Sequence, residues 1–219
     1  MSSNMKKRFV DVTYRILTEE GPEAVKIRRL ARECGCTSTV IYRHFDNLSH
    51  LVALASIRIP NEYIRDFRNL TQDQELAADP YRLNLRMWDC LAEHAFRSMR
   101  NMKIYEELFY GQYRNSLGDL IYEYYQLFFE TENFEFDGYA TRILFNDDMV
   151  QRDLVLLRRA AALGILSPGD AEILSRTESL VFHGLLLKYM NHEESGVPET
   201  ARKEFREILE NFAGHYRKK

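Results

Sequence analysis

Ser38, Thr39, Tyr42 and Arg43 are interleaved with Val40, Ile41, His44 and Phe45 in one eight-residue run. Wound on a helix, the first four take an outward face and the second four an inward one. Two short hydroxyls, a phenol and a guanidinium on one open face can hydrogen-bond base edges and phosphate oxygens, and the hydroxyls are small enough to approach both. Lys26, Arg28, Arg29 and Arg32 lie just upstream around an apolar stripe, where cations would neutralise phosphate charge. The plainer reading of the same residues is a solvated helical hairpin.

Three elements have to position this face. Ile27, Leu30, Ala31 and Cys34 recur at i, i+3, i+4 and i+7 and predict one short helix. Gly35 ends it with a residue that tolerates a left-handed turn, and Thr37 is an N-cap type for the second helix, whose free N–H groups favour phosphate. A leading helix through KKRFVDVTYRILTEEG carries Phe9, Val12, Thr13, Ile16 and Leu17 as the stripe that closes a three-helix core.

Over about residues 6 to 58, this arrangement resembles the DNA-binding module of the TetR family of bacterial regulators. The matching positions are Gly21, Ile27, Leu30, Ala31, Gly35, Thr37, Ile41, Tyr42, His44 and Phe45, with Leu51 opening the next helix. The resemblance implies an all-α chain: a three-helix helix-turn-helix module at 1–58, then a larger helical effector-binding and dimerisation domain at 59–219. It makes Lys26, Arg28, Thr37, Ser38, Thr39, Tyr42, Arg43 and His44 the candidate DNA-binding residues. Two positions depart from the family pattern. Lys26 stands where a capping Thr is usual, so an ammonium replaces an acceptor oxygen. Leu48 stands where a Lys is usual, so a backbone contact there is weakened or rearranged, with Asn47, Ser49 or His50 as substitutes.

Charge is divided along the chain in the same sense. Residues 1–58 hold ten Lys/Arg against six Asp/Glu, a net of +4; the remainder holds twenty against twenty-seven, a net of −7. The basic end is the one suited to a polyanion. The polar start MSSNMKKR is not followed by a cleavable apolar core, and no run approaches the roughly 20 apolar residues that span a bilayer, so a cytoplasmic protein with no membrane association is expected. Cys34, Cys36 and Cys90 are too few for a disulfide framework. Cys34-Gly35-Cys36 invites a redox or metal reading, but no neighbouring His/Cys set completes a tetrahedral site, and small apolar packing explains both thiols. No metal or other cofactor is expected. There is no phosphate loop, G-x-S-x-G elbow, H-E-x-x-H or paired E-x-x-H, and the reading is of a protein that is not an enzyme.

Beyond the basic module the pattern stays helical. The fourth helix starts near Leu48, carries Leu51, Leu54 and Ala55, and meets Pro60, which either bends it or breaks it. Asp79-Pro80 starts a helix with Leu85, Trp88, Leu91, Ala92, Ala95 and Met99 on one face. Another follows Gly111, and one long helix is expected from about Gly138 to Leu163. Twelve of the twenty-six Phe and Tyr residues fall between Tyr105 and Tyr139. They suit either a packed core or a small-molecule pocket between helices, for which Trp88, Tyr105, Phe109, Tyr113, Tyr124 and Phe128 are the candidates. Two final amphipathic helices form a dimerisation pair, with Leu180, Gly184, Leu187, Ile208, Leu209 and Phe212 as interface candidates; the helical glycine suggests a close crossing.

The function these expectations describe is a ligand-responsive transcriptional regulator, most simply a repressor. It binds a palindromic double-stranded DNA operator as a homodimer and is released by a small aromatic or apolar effector. The alternative keeps the DNA-binding fold as an adaptor whose larger domain binds a protein partner.

Overall fold

The computed structural model describes residues 2–132, 138–192 and 196–216. Among them every regular element is helical. The order is α1 (Ser2–Glu19), a 3-10 turn (Pro22–Ala24), α2 (Ile27–Cys34), α3 (Ser38–Ile41), α4 (Leu48–Ser56), α5 (Asn61–Gln72), α6 (Gln74–Ala78), α7 (Pro80–Ala95) and α8 (Met99–Phe109). Then come α9 (Leu117–Glu132), α10 (Gly138–Leu144), α11 (Met149–Ala162), α12 (Pro168–Tyr189) and α13 (Val197–Tyr216). The chain divides into two compact units. The first contains α1 to α4 and, from residue 118 onward, α9; the second contains α5 to α8 and α10 to α13.

In the first unit the core is the one the apolar spacing describes. Phe9, Thr13, Ile16 and Leu17 of α1 are buried with Leu30, Ala31 and Cys34 of α2, Ile41 and Phe45, and Leu51, Leu54 and Ala55 of α4. Val10 is fully buried whereas Val12 is only half-buried, so the stripe of α1 is rotated by part of a turn from the one expected. Gly35 adopts φ 69°, and the Cys36 N–H closes α2 by donating to the Ala31 carbonyl at 2.9 Å. That left-handed residue lets α3 leave at an angle to α2 without a Cβ clash.

Two helix boundaries have identifiable causes: one decides between the two readings the sequence left open, and the other differs from the sequence expectation. α4 ends at Ser56 and α5 begins at Asn61 after Pro60, so the proline marks a break and not a bend. The single helix expected from Gly138 to Leu163 is two, because Asn146 Oδ1 accepts from the Asp148 N–H at 3.0 Å and Asp148 Oδ1 accepts from the Gln151 N–H at 2.9 Å. Those short polar side chains compete with the helical ladder and cap a new helix instead.

In the second unit α7, α11, α12 and α13 surround an aromatic centre. Phe182 lies 5.4 Å from Trp88, 5.5 Å from Phe96 and 5.5 Å from Phe205, centroid to centroid. Asp79 caps α7 by accepting from the Arg82 N–H at 3.0 Å, with Pro80 at the first helical position. Ser98 then caps a separate α8, which ends the α7 stripe at Ala95 and removes Met99 from it.

Candidate nucleic-acid interface and interior cavity

Within the first unit the outward face of α3 is open. Thr39, Tyr42 and Arg43 are exposed, Tyr42 at 54%, and Ser38 is half-buried. α3 itself is one turn long; the chain continues through Tyr42 to Phe45 in tight turns, with the Arg43 N–H donating to Val40 O and the His44 N–H to Ile41 O. Thr37 occupies the N-cap position in extended conformation, but its side chain makes no capping bond and is exposed. Its hydroxyl is therefore available to a ligand. His44 turns its ring inward, 6.0 Å from Phe9 and 6.4 Å from Phe45. It is half-buried and supports the face from behind.

The cations of this unit fall into two groups that the sequence does not separate. Arg29 is bound to Glu20 and, at 2.8 Å, to Glu33, while Arg15 is bound to Glu33 and to Glu19. These pairs staple α1 to α2. Arg58 is likewise held by Asp11 at 2.8 Å. Lys26, Arg28, Arg32 and Arg43 are exposed, and among the described residues their side chains form no ion pair. Free cations thus flank the open hydroxyl face, which is what a phosphate-binding surface requires. Beside the variant position Leu48, the Asn47 side chain caps α4, its Oδ1 accepting from the His50 N–H at 2.8 Å.

α9 adds to this unit from more than sixty residues away. His50 Nε2 donates to Glu123 Oε2 at 3.0 Å and Lys6 Nζ reaches Glu123 Oε1 at 2.6 Å, so one carboxylate ties α9 to both α4 and α1. The hydrogen bond to Glu123 raises the His50 pKa. The same bond, with that from Lys6, holds the Glu123 carboxyl down at about 2. No sequence signal marked Glu123, because its partners lie 73 and more than a hundred positions away.

In the second unit a small cavity of about 30 Å3 is lined by Tyr63, Met87, Trp88, Leu91, Phe109, Ile143, Met149, Arg152 and Asp153. Its walls are mostly aromatic and apolar, as in a small-molecule site. Phe109 and Met149 also border an outer groove of about 540 Å3 that carries Tyr110, Asp147, Asp148, Leu180 and His183. Of the six aromatic residues expected in a pocket, Trp88 and Phe109 line the cavity. Tyr105 is wholly buried and stacked on Phe109 at 5.6 Å, and Tyr113 is half-buried in the segment before α9. Tyr124 and Phe128 are buried on α9, which belongs to the first unit.

Spacing had not singled out the charged wall of that cavity. Arg152 is buried, donates through Nη2 to Leu144 O at 2.8 Å and through Nε to Asn146 O, and lies over the Phe109 ring. Burial lowers its pKa to about 10. Asp153 Oδ1 accepts from Trp88 Nε1 at 2.8 Å and from Asn84 Nδ2. Burial pushes Asp153 up to about 6 and, helped by the adjacent Asp153, pushes Glu178 well above the usual carboxylate range.

Asp66, Cys90 and His94 bring three potential metal-ligand atoms within 4.8 Å of one another. Two of the three are engaged with each other by a hydrogen bond. Arg97, a donor only, donates to His94 Nδ1 at 3.2 Å, which leaves the proton on Nε2 facing Asp66 at 2.8 Å. The Cys90 thiol is pushed up to about 12 by burial and then by Asp66.

On α12, Ile173, Leu180 and Leu187 are exposed at 53%, 71% and 47%, with Thr177 and Gly184 on the same stripe. Nothing lies within 4 Å of a Cβ built on Gly184. The α13 candidates are placed differently. Leu209 is buried in its own unit, Phe212 packs against the cluster around Tyr81, Leu157 and Leu174, and Ile208 is half-buried. Among the described residues no helix is long and apolar enough to cross a membrane.

A three-helix module with a basic, hydroxyl-bearing face, joined to a larger helical unit containing a cavity, defines a helix-turn-helix regulator architecture. The family described as bacterial regulatory proteins, tetR family, matches residues 9–54. An HTH-type transcriptional regulator of Staphylococcus aureus (strain bovine RF122 / ET3-1) is 22% identical over 147 residues, covering 64% of this chain and 75% of that protein. In fold, the chain is similar to a TetR transcription regulator from Haloarcula marismortui ATCC 43049, with TM-score 0.56 and 15% identity over 99% of this chain and 100% of the other. A protein of Mesorhizobium loti MAFF303099 assigned to the TetR family gives TM-score 0.56 and 12% identity over 100% and 99%. Residues 9–54 thus match the tetR family of bacterial regulatory proteins, and the chain as a whole is similar in fold to TetR-family structures.

Proposed function

We propose that this chain is a transcriptional regulator that binds a palindromic operator as a homodimer and is released from it by a small effector held in the second unit. The observation that carries the DNA contact is the open Thr37, Ser38, Thr39, Tyr42 and Arg43 face, flanked by Lys26 and Arg28, whose cations have no acidic partner among the described residues. Two such faces must reach successive major grooves, about 34 to 36 Å apart, so one copy alone binds weakly.

The exposed stripe of Ile173, Leu180, Gly184 and Leu187 supports dimerisation through α12, because large apolar side chains at heptad spacing are otherwise left in water. Effector release then works as a shift between dimer shapes that do and do not match the groove spacing. Selection of bound fragments from random DNA, followed by anisotropy titration of the purified chain, tests this reading. Specific fragments bound by a dimer support it; indifference to every fragment at low salt overturns it.

A further inference from the structure

Asp153 lines the interior cavity, and its carboxylate oxygen Oδ2 is buried without a hydrogen-bond partner. The donors around it are already committed. Trp88 Nε1 and Asn84 Nδ2 both serve Oδ1. The Ser175 hydroxyl has one proton, and it goes to Val150 O at 2.7 Å. Arg152 directs Nε and Nη2 to the carbonyls of Asn146 and Leu144, past the end of α10, where a cation is well placed against the helix terminus. Behind Asp153, Glu178 is wholly buried and both of its oxygens lack donors, as does Asn84 Oδ1. A proton held between Glu178 and Asp153 satisfies one oxygen of each and still leaves the group short of donors. Buried acceptors in that condition are costly and are found where something else completes them.

We infer that the cavity is a site for a protonated organic amine on an apolar or aromatic body, its ammonium directed at Asp153, with Glu178 behind that carboxylate, and its body lying against Trp88 and Phe109. This deepens the effector reading above and rests on it for its regulatory meaning. An ammonium brings three N–H donors and a positive charge, which an alcohol does not. The faces of Trp88 and Phe109 add cation–π attraction and apolar contact. A carboxylate ligand would add acceptors to a place that has too many, and the cation on the wall, Arg152, is already engaged by two carbonyls and the Phe109 ring. The cavity by itself holds about 30 Å3, and the outer groove shares Phe109 and Met149 with it, so the ammonium sits in the cavity and the body extends past the flexible Met149 thioether into the groove.

The test uses the full chain without DNA and three probes with one body: phenylpropylamine, phenylpropanol and phenylpropanoate. Calorimetry and thermal shift should show the amine binding at least about tenfold more tightly than the alcohol, and the carboxylate more weakly than either. Equal affinity for all three, preference for the carboxylate, or no binding by the amine overturns the inference. The isosteric variants Glu178→Gln and Asp153→Asn should each weaken the amine by about tenfold while leaving the alcohol unchanged. Should either variant fail to fold, the three-probe comparison on the unaltered chain still decides. Anisotropy on bound DNA separates the two readings. Amine binding that never releases DNA keeps this site and overturns effector control, whereas DNA binding by a chain that ignores the amine overturns the site alone.

Discussion

His50 of α4 donates its Nε2 proton to Glu123 of α9 at 3.0 Å, and Lys6 of α1 meets the other oxygen of the same carboxylate. The helix that follows the reading head is therefore fastened to a helix encoded far downstream by one hydrogen-bonded charge cluster.

That cluster predicts a pH-dependent stability. The folded pKa of His50 is raised by Glu123, so its contribution is fully present below the unfolded value of about 6.5 and is lost as pH rises through the folded value. The Glu123 carboxyl is lowered to about 2, so its contribution is present above the ordinary value of about 4.3 and is lost only as pH falls toward the folded one. His50→Gln should cost about 1 kcal/mol near pH 6, with a gap to the parent that closes by about pH 9. Thermal unfolding of both proteins across that range checks it, and a gap independent of pH would refute the assignment.

At the open face of α3, Tyr42→Ala and Thr39→Ala should have different consequences. The exposed phenol of Tyr42 suits phosphate contact, so its loss should weaken all DNA sequences by a similar factor. Thr39 is exposed on the same face, and the proposed contact with base edges predicts that its loss changes preference at one operator position by about 1 kcal/mol or more. Titrations over a set of operator variants measure both, and a uniform loss from both substitutions would remove the division of labour.

Dimerisation by α12 predicts that Leu180→Asp yields monomers. Leu180 is 71% exposed, so the change should leave the fold of the chain intact while burying an unpaired carboxylate at any α12 contact between copies. Sedimentation equilibrium gives the mass and circular dichroism the fold. A dimer of unchanged affinity would place the interface elsewhere.

Asn47→Ala should remove the side-chain cap of α4 and cost about 1 kcal/mol. Because Asn47 acts within the protein, DNA affinity at low temperature should change much less than the unfolding midpoint. A fall in affinity as large as that from Tyr42→Ala would instead make Asn47 a phosphate ligand in place of the lysine missing at position 48.

Much of the first unit is legible in local spacing. Leu30, Ala31 and Cys34 on one helical face, a left-handed Gly35, and the alternation around Tyr42 need no knowledge of distant residues, since each follows from 3.6-residue periodicity or from backbone sterics. The exposed apolar heptad on α12 is legible for the same reason. Its partner stripe on α13 is less so, because periodicity says that Leu209 and Phe212 share a face and not which neighbour covers it; within the chain their own unit does.

What only the tertiary structure decided is which like residues do unlike work. Arg28 and Arg29 are adjacent in sequence, yet one is open to solvent and the other is held by Glu20 and Glu33. Tyr124 and Phe109 belong to one aromatic-rich stretch of sequence, but they lie in different units. Asp153 and Glu178 carry no motif and become a buried acid pair only when α11 packs on α12. Helical periodicity is set by interactions a few residues apart, whereas ion pairing, burial and the supply of hydrogen-bond donors depend on groups brought together across the chain; the sequence by itself determined the first, and the packed fold alone decided the second.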